Sequence, residues 1–451
     1  MDSAQPIGIR EQLAYALPAL VLALLGITFY VYLPKFYVDS IGVDLSVLGF
    51  IIISSRIFDA LSDPLIGALS DRTRSRFGRR RPWMLGALLP LGASFFLLLR
   101  PDLAPSWCSA EVWLGILSFI FFLSWTMVSI PYEALGTALS FVYDERTKIL
   151  ALRDGALVLG TLLAVVIPQA IAGRTGDAAT AHVLTSLAVA YPLLTCVAIV
   201  LCIWLVHERS GVDTPKEISL AETAKALRSV VSNRPFLDLL TAYVIAGFGA
   251  ALPATLIAFY VEQVLGSKAW GQFLVLYFLI GFLVLPGWVW LARRIEKHQT
   301  WLIAMIVNTG AFIGVFFLGP GQLTAYGVLV AISSLGYGAT LALPSSMQAD
   351  VIDLDELQNG TRREGQFVGI WSVAKKLAAA LGAGIAFPIL DQLGYVPGAT
   401  SQSPEVITAL RWLYAGVPCV CNIIAILVVT RYSITRVRHA QIRAQILARS
   451  N

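Results

Sequence analysis

Asp59 and Asp63 stand four residues apart in the otherwise apolar run SSRIFDALSDPLIGALSD, and they are the clearest chemistry-bearing pair in this 451-residue chain. On a helix that spacing projects both carboxylates from one face, one turn from each other, with Ser62 beside them. Two carboxylates that close repel unless a proton or a cation sits between them. Their hard oxygens, with the Ser62 hydroxyl, suit a small cation such as Na⁺ and equally a shared proton. The competing reading is structural: Arg56, three residues before Asp59, neutralises one carboxylate as a fixed ion pair, which leaves Asp63 to be explained. Pro64 follows directly, and its missing N–H loosens the helix and frees backbone carbonyls next to the pair.

Three further groups carry polar chemistry inside apolar blocks. WTMVSIPYEALGT sets Thr126, Ser129 and Glu133 at helical spacing on one face, with a kink invited at Pro131. Glu133 is either a substrate ligand or coupling acid, or an acid that snorkels to the cytoplasmic end of its span. Arg153 and Asp154 are adjacent, so they should point to different faces, Arg153 toward a polar substrate and Asp154 toward another partner. In GIWSVAKKLAAALGAG one of Lys375 and Lys376 should face a cavity, with Trp371 and Ser372 on the turns above it. Such a lysine either exchanges partners with a carboxylate as the protein changes state or forms a permanent ion pair. The loop DRTRSRFGRRRP offers Asp71, Arg72, Arg79 and Arg80 for ion pairs and helix-end contacts that hold an inner gate shut. As a solvated basic run beside anionic lipid it would need no such role.

The elements that must position these groups follow from composition. With 57% hydrophobic and 14% charged residues the chain cannot hide its apolar surface in a water-soluble core. The apolar residues fall in blocks of roughly 20, the length a helix needs to cross the hydrocarbon layer. Twelve spans are expected, at 14–37, 45–70, 83–100, 111–139, 149–173, 182–206, 237–263, 269–291, 300–319, 323–346, 365–391 and 405–430. Of the 33 Lys and Arg residues, 24 then fall on one side of the membrane, 4 on the other (Lys35, Arg100, Arg174, Lys268) and 5 within spans. By the positive-inside rule both termini are cytoplasmic. The formal charge of +5 thus reflects topology and lipid headgroups, and no nucleic-acid partner is implied.

The expected organisation is a six-helix bundle over 1–206, a cytoplasmic middle loop over 207–236, a second six-helix bundle over 237–430 and a basic tail over 431–451. The two halves echo each other weakly, as internal duplication in transporters predicts: GALSD and then arginines leave span two, GWVWL and then Arg293–Arg294 leave span eight. Five scattered cysteines suggest neither a disulfide framework nor a metal site, and the N-terminus lacks a cleavable signal, so the first block reads as a retained span. No nucleophile–base set appears, and neither an enzyme nor a bound cofactor is expected.

RIFDALSDPLIGALSDRTRSRFGRRRPW and ADVIDLDELQNGTRREGQFVGIWSVAKK resemble the span-two and loop-ten-to-eleven signatures of the glycoside-pentoside-hexuronide:cation symporters, the melibiose-carrier-like branch of the major facilitator superfamily. The resemblance runs over essentially the whole chain. It implies an all-α polytopic membrane protein with two pseudo-symmetric six-helix bundles. It also implies a cation site at Asp59, Ser62, Asp63 and Thr126, and substrate or coupling roles for Arg153 and for Lys376 rather than Lys375. The acids with which the melibiose carrier grips its sugar in spans one and four are missing: span one offers only Thr28, Tyr30 and Tyr32, and the span-four position is Ser129. The position of the sugar-stacking tryptophan is Glu133. An animal branch of the same family moves lysophospholipids with sodium.

The resulting expectation is a secondary active transporter of an inner (plasma) membrane of bacterial type. It would couple Na⁺ or H⁺ to a sugar or glycoside held between the halves near Arg153, Trp371 and Lys376, with the bilayer and a small-molecule substrate as its partners and a monomer sufficient. A cation-coupled carrier of a lysophospholipid is the competing transport reading. A non-transporting sensor or scaffold is the alternative of another class, and it would have no use for paired aspartates.

Overall fold

The computed structural model describes residues 8–73, 75, 77–139, 143–173, 181–206, 233–360, 364–399 and 401–450. Most of the expected middle loop therefore lies outside the described residues. Among the described residues there are twelve helices long and apolar enough to cross a bilayer, and no strand. They are α1 (Ile9–Ile41), α2 (Leu45–Arg72), α3 (Arg81–Leu98), α4 (Ala110–Leu139), α5 (Tyr143–Ala172) and α6 (Ala181–Leu205), then α7 (Arg234–Gln263), α8 (Trp270–Arg294), α9 (Lys297–Phe316), α10 (Leu323–Asn359), α11 (Glu364–Gln392) and α12 (Pro404–Val429). A polar tail helix, α13, covers Arg436–Ser450. Local chemistry sets several ends. Asp44 accepts the Ser46 and Val47 amides at the start of α2, and Asn233 and Ser403 cap α7 and α12 in the same way. Gly42 and Gly360 stop α1 and α10 in the left-handed region, at φ 82° and 71°.

Every span expected from hydropathy is a helix, with two corrections. The segment ADVIDLDELQN, expected as part of a loop, continues α10 to Asn359. Val351, Ile352 and Leu354 are buried there, and Asp350 takes Lys297 Nζ at 2.7 Å, so a polar-looking stretch has a packed face. Lys35, counted on the external side at the end of the first expected span, is buried within α1 and paired to Asp39 Oδ2 at 2.5 Å, one turn on.

Two of the helices contain wide turns ahead of a proline. Pro34 has no N–H for the Tyr30 carbonyl, and Thr28–Tyr32 opens into a π turn closed by the Leu33 amide on Thr28. Pro418 stands in the same relation to Tyr414, and Trp412–Gly416 is likewise π-helical. By internal packing the chain forms two compact units, Met1–Lys216 with Phe387–Thr400, and Glu217–Ala386 with Ser401–Asn451. In the first, α5 crosses α1 almost backbone to backbone at Gly160, where a Cβ would stand 2.2 Å from the Leu20 carbonyl oxygen. In the second, Phe236, Trp301, Met347, Phe367 and Trp371 belong to one buried apolar cluster.

Candidate functional site

In the first unit α2 and α4 bring the paired aspartates against Thr126. Asp59 is fully buried and Asp63 is 8% exposed. Thr126 Oγ1 lies 2.7 Å from Asp59 Oδ1 and 3.1 Å from Asp63 Oδ1. A hydroxyl has one hydrogen, so it donates fully to one carboxylate at a time, while its lone pairs remain free to ligate a cation or accept a proton. Three oxygens from two helices thus converge in a place from which water is largely excluded. Such a cluster binds charge strongly because electrostatic interactions are less screened there than in water.

Arg56 Nη1 is 2.9 Å from Asp59 Oδ2, so the ion pair weighed against a cation site does exist on this carboxylate. Its guanidinium also lies over the Tyr30 ring at 4.9 Å and the Phe122 ring at 5.1 Å. The π turn of α1 is what carries Tyr30. Ser62 donates to the Asp59 backbone carbonyl at 2.9 Å, which commits its hydrogen to the helix and leaves its oxygen as an acceptor.

The other expected residues fall around this core in different ways. Ser129 is half-buried and Glu133 exposed, further along α4. Arg153 does not diverge from its neighbour as expected. Its Nε and Nη2 reach Asp154 Oδ1 at 2.9 and 2.7 Å, because a long guanidinium side chain can fold back over the helix surface. Glu133 and Tyr15 both lie within electrostatic range of Arg153, so these three polar groups of α4, α1 and α5 form a second cluster. Tyr15 was not among the expected residues; the signal would have been Gly136, whose lack of a side chain makes room for the Tyr15 hydroxyl.

In the basic loop, Arg80 is buried and its Nη1 donates to the Ala134 carbonyl at 2.6 Å, near the end of α4. That contact ties the N-cap residue of α3 to α4 within one unit. Arg72 is exposed and Arg79 half-buried, and the Asp71 side chain lies outside the described residues. In the second unit, Lys376 is half-buried and Lys375 exposed. The Trp371 ring stacks on Tyr243 with centroids 4.3 Å apart. That unit also holds a charged cluster unforeseen from the sequence: His439 Nε2 of α13 lies 3.0 Å from Asp353 and 3.6 Å from Asp350, which also takes Lys297.

Residues 14–436 match the family described as MFS/sugar transport protein. The chain belongs to that family. Among curated relatives, the glucuronide carrier protein homolog of Escherichia coli (strain K12) is 26% identical, over 92% of this chain and 90% of its own length. The sodium-dependent lysophosphatidylcholine symporter 1 of Xenopus tropicalis is 24% identical over 96% of this chain and 89% of its own. A crystal structure of peptide transporter POT in complex with sulfate shares the fold with a TM-score of 0.68 at 13% identity, covering 95% of this chain and 97% of that one. The protein is thus a multi-pass membrane transporter of the MFS kind, and its described residues are all-helical with twelve candidate spans among them.

Proposed function

We propose that this transporter is a cation-coupled symporter, binding Na⁺ or H⁺ at Asp59 and Asp63 and carrying a sugar or glycoside by alternating access. The convergence of both carboxylates on the Thr126 hydroxyl carries this reading. Cation binding there would favour the conformation that accepts substrate, so each ligand raises the affinity for the other. On this reading Arg153, Glu133, Ser129, Trp371 and Lys376 are the residues that serve substrate binding and coupling. The chain would lie in a bacterial-type inner membrane with both termini cytoplasmic, as the charge asymmetry of its loops supports. The name of the glucuronide carrier homolog supports a glycoside as cargo.

A second cargo, a lysophospholipid, is favoured by the relative from Xenopus tropicalis and by the lack of an acid in the α1 stretch that offers Thr28, Tyr30 and Tyr32. Proteoliposomes separate the readings. Labelled glucuronide or lysophosphatidylcholine is offered under an inward Na⁺ gradient, an inward proton gradient and none. Accumulation of the glucuronide under one gradient, lost in Asp59→Cys with the protein still in the membrane, is the expected result. Accumulation that survives Asp59→Cys removes the cation site from these residues, and gradient-driven uptake of only the lysolipid selects the second cargo.

A further inference from the structure

A cavity of about 1060 Å³ in the first unit lies away from the paired aspartates, lined by Ile9, Arg10, Glu11, Phe77, Arg81 and Trp204 among others. Its walls are the start of α1, the start of α3 and the end of α6. Alternating spans put these three ends on one face of the membrane, the face that also carries the basic loop. The volume is just above the roughly 300–1,000 Å³ of pockets for drug-sized ligands. Its apolar rim is open: Trp204 is 73% exposed, Ile9 59% and Phe77 54%. An indole beside arginines at a span end is a residue set that sits at the level of lipid headgroups.

We propose that this cavity binds an anionic phospholipid of the leaflet on that face. Its phosphodiester would lie between Arg10 and Arg81 and its upper acyl chains along Trp204, Phe77 and Leu85. Arg81 is held for this task, since its guanidinium also bonds the Val206 carbonyl just past α6. Arg10 is exposed at the first turn of α1. Against these two cations stands the single carboxylate of Glu11, so the site has one net positive charge, the complement of a lipid with one net negative charge. A zwitterionic headgroup would bring an ammonium to two guanidiniums. Basic pockets between transmembrane helices are the recognised way in which such headgroups are held.

The full-length protein in mild detergent is titrated with phosphatidylglycerol or phosphatidylethanolamine and bound lipid is counted by native mass spectrometry. Phosphatidylglycerol should be retained in preference to phosphatidylethanolamine. Arg10→Gln should weaken its retention about fivefold, the loss expected for one basic residue near a lipid surface. Trp204→Ala should weaken it too, and Arg100→Gln, on a loop of the opposite face, should not. Arg10→Gln and Trp204→Ala alter exposed side chains, so the result does not depend on whether Arg81→Gln folds. Equal retention of the two lipids, or phosphatidylglycerol retained unchanged by Arg10→Gln and Trp204→Ala, overturns the proposal. Displacement of the lipid by millimolar glycerol 3-phosphate or inorganic phosphate overturns it in favour of a soluble anion.

Discussion

The Thr126 hydroxyl stands 2.7 Å from Asp59 Oδ1, although the two residues come from different helices. Thr126→Val keeps the shape and removes the only non-carboxylate oxygen in that contact, whereas Thr126→Ser keeps the oxygen. A hydrogen bond to a charged group is worth about 1.5–3 kcal/mol, so the valine variant should need ten-fold or more extra cation for half-maximal uptake. The serine variant should stay within a few-fold of the parent. Titrating Na⁺ and pH in the uptake assay checks this, and equal shifts in both variants would remove Thr126 from the cation site.

Arg56 pairs with Asp59, so a cation bound at the proposed site would compete with it for the same carboxylate. A second positive charge about 4 Å away opposes cation binding by about 4 kcal/mol at the effective dielectric near a protein surface. Arg56→Gln removes that opposition and also leaves Asp59 buried without the guanidinium 2.9 Å from it. The variant should therefore melt lower than the parent without Na⁺ and gain more from its addition. A melting profile in both media that matches the parent would make Arg56 a bystander.

Hydropathy and spacing made the twelve helices and the Asp59–Asp63 face legible, because a bilayer demands long apolar helices and a four-residue spacing fixes a helix face. Less legible were features that depend on which neighbour a side chain meets. Lys35 counted as a cation of the external side, but it is buried in α1 and paired with its turn-mate Asp39, and Arg153 folded onto the adjacent residue against the simple face rule. The continuation of α10 through ADVIDLDELQN was hidden by its acids, whose partners Lys297 and His439 come from distant parts of the sequence.

Lys375 and Lys376 differ in exposure although they are adjacent. The half-buried Lys376 should carry the substrate role and the exposed Lys375 should not. Lys376→Gln is expected to weaken substrate binding ten-fold or more, as loss of a charged hydrogen-bond donor does, while Lys375→Gln leaves it near the parent. Isothermal titration with a transported glycoside distinguishes them. Unchanged binding in Lys376→Gln would leave that lysine a purely structural part.

The tail helix α13 is pinned to the extension of α10 by His439 on Asp353, with Arg443 3.7 Å from the same carboxylate. Asp353→Asn removes the charge that both side chains face. Trypsin should then cut at the arginines of α13 faster than in the parent, while the spans stay intact. Equal cleavage rates would mean that the buried Ile442 and the Arg436 bonds to α8 and the α8–α9 turn hold the tail by themselves.

Gly155 and Gly160 lie on one helix, five residues apart, and predict opposite consequences of the same substitution. At Gly160 a Cβ would stand 2.2 Å from the Leu20 carbonyl oxygen and 2.8 Å from its Cα, so α1 and α5 would have to separate along their crossing. Backbone atoms cannot turn aside as a side chain does, and overpacking of this kind costs about 1–3 kcal/mol. At Gly155 a Cβ meets nothing within 4 Å. There alanine only restricts the unfolded chain and favours the helix, a gain of up to about 1 kcal/mol. Gly160→Ala should therefore melt several degrees below the parent in detergent, and Gly155→Ala at or slightly above it. Because α1 carries Tyr30 and α5 carries Arg153, the first variant should also lose transport in proportion to its displaced helices. Similar melting points for the two variants would mean that α1 and α5 do not make this contact.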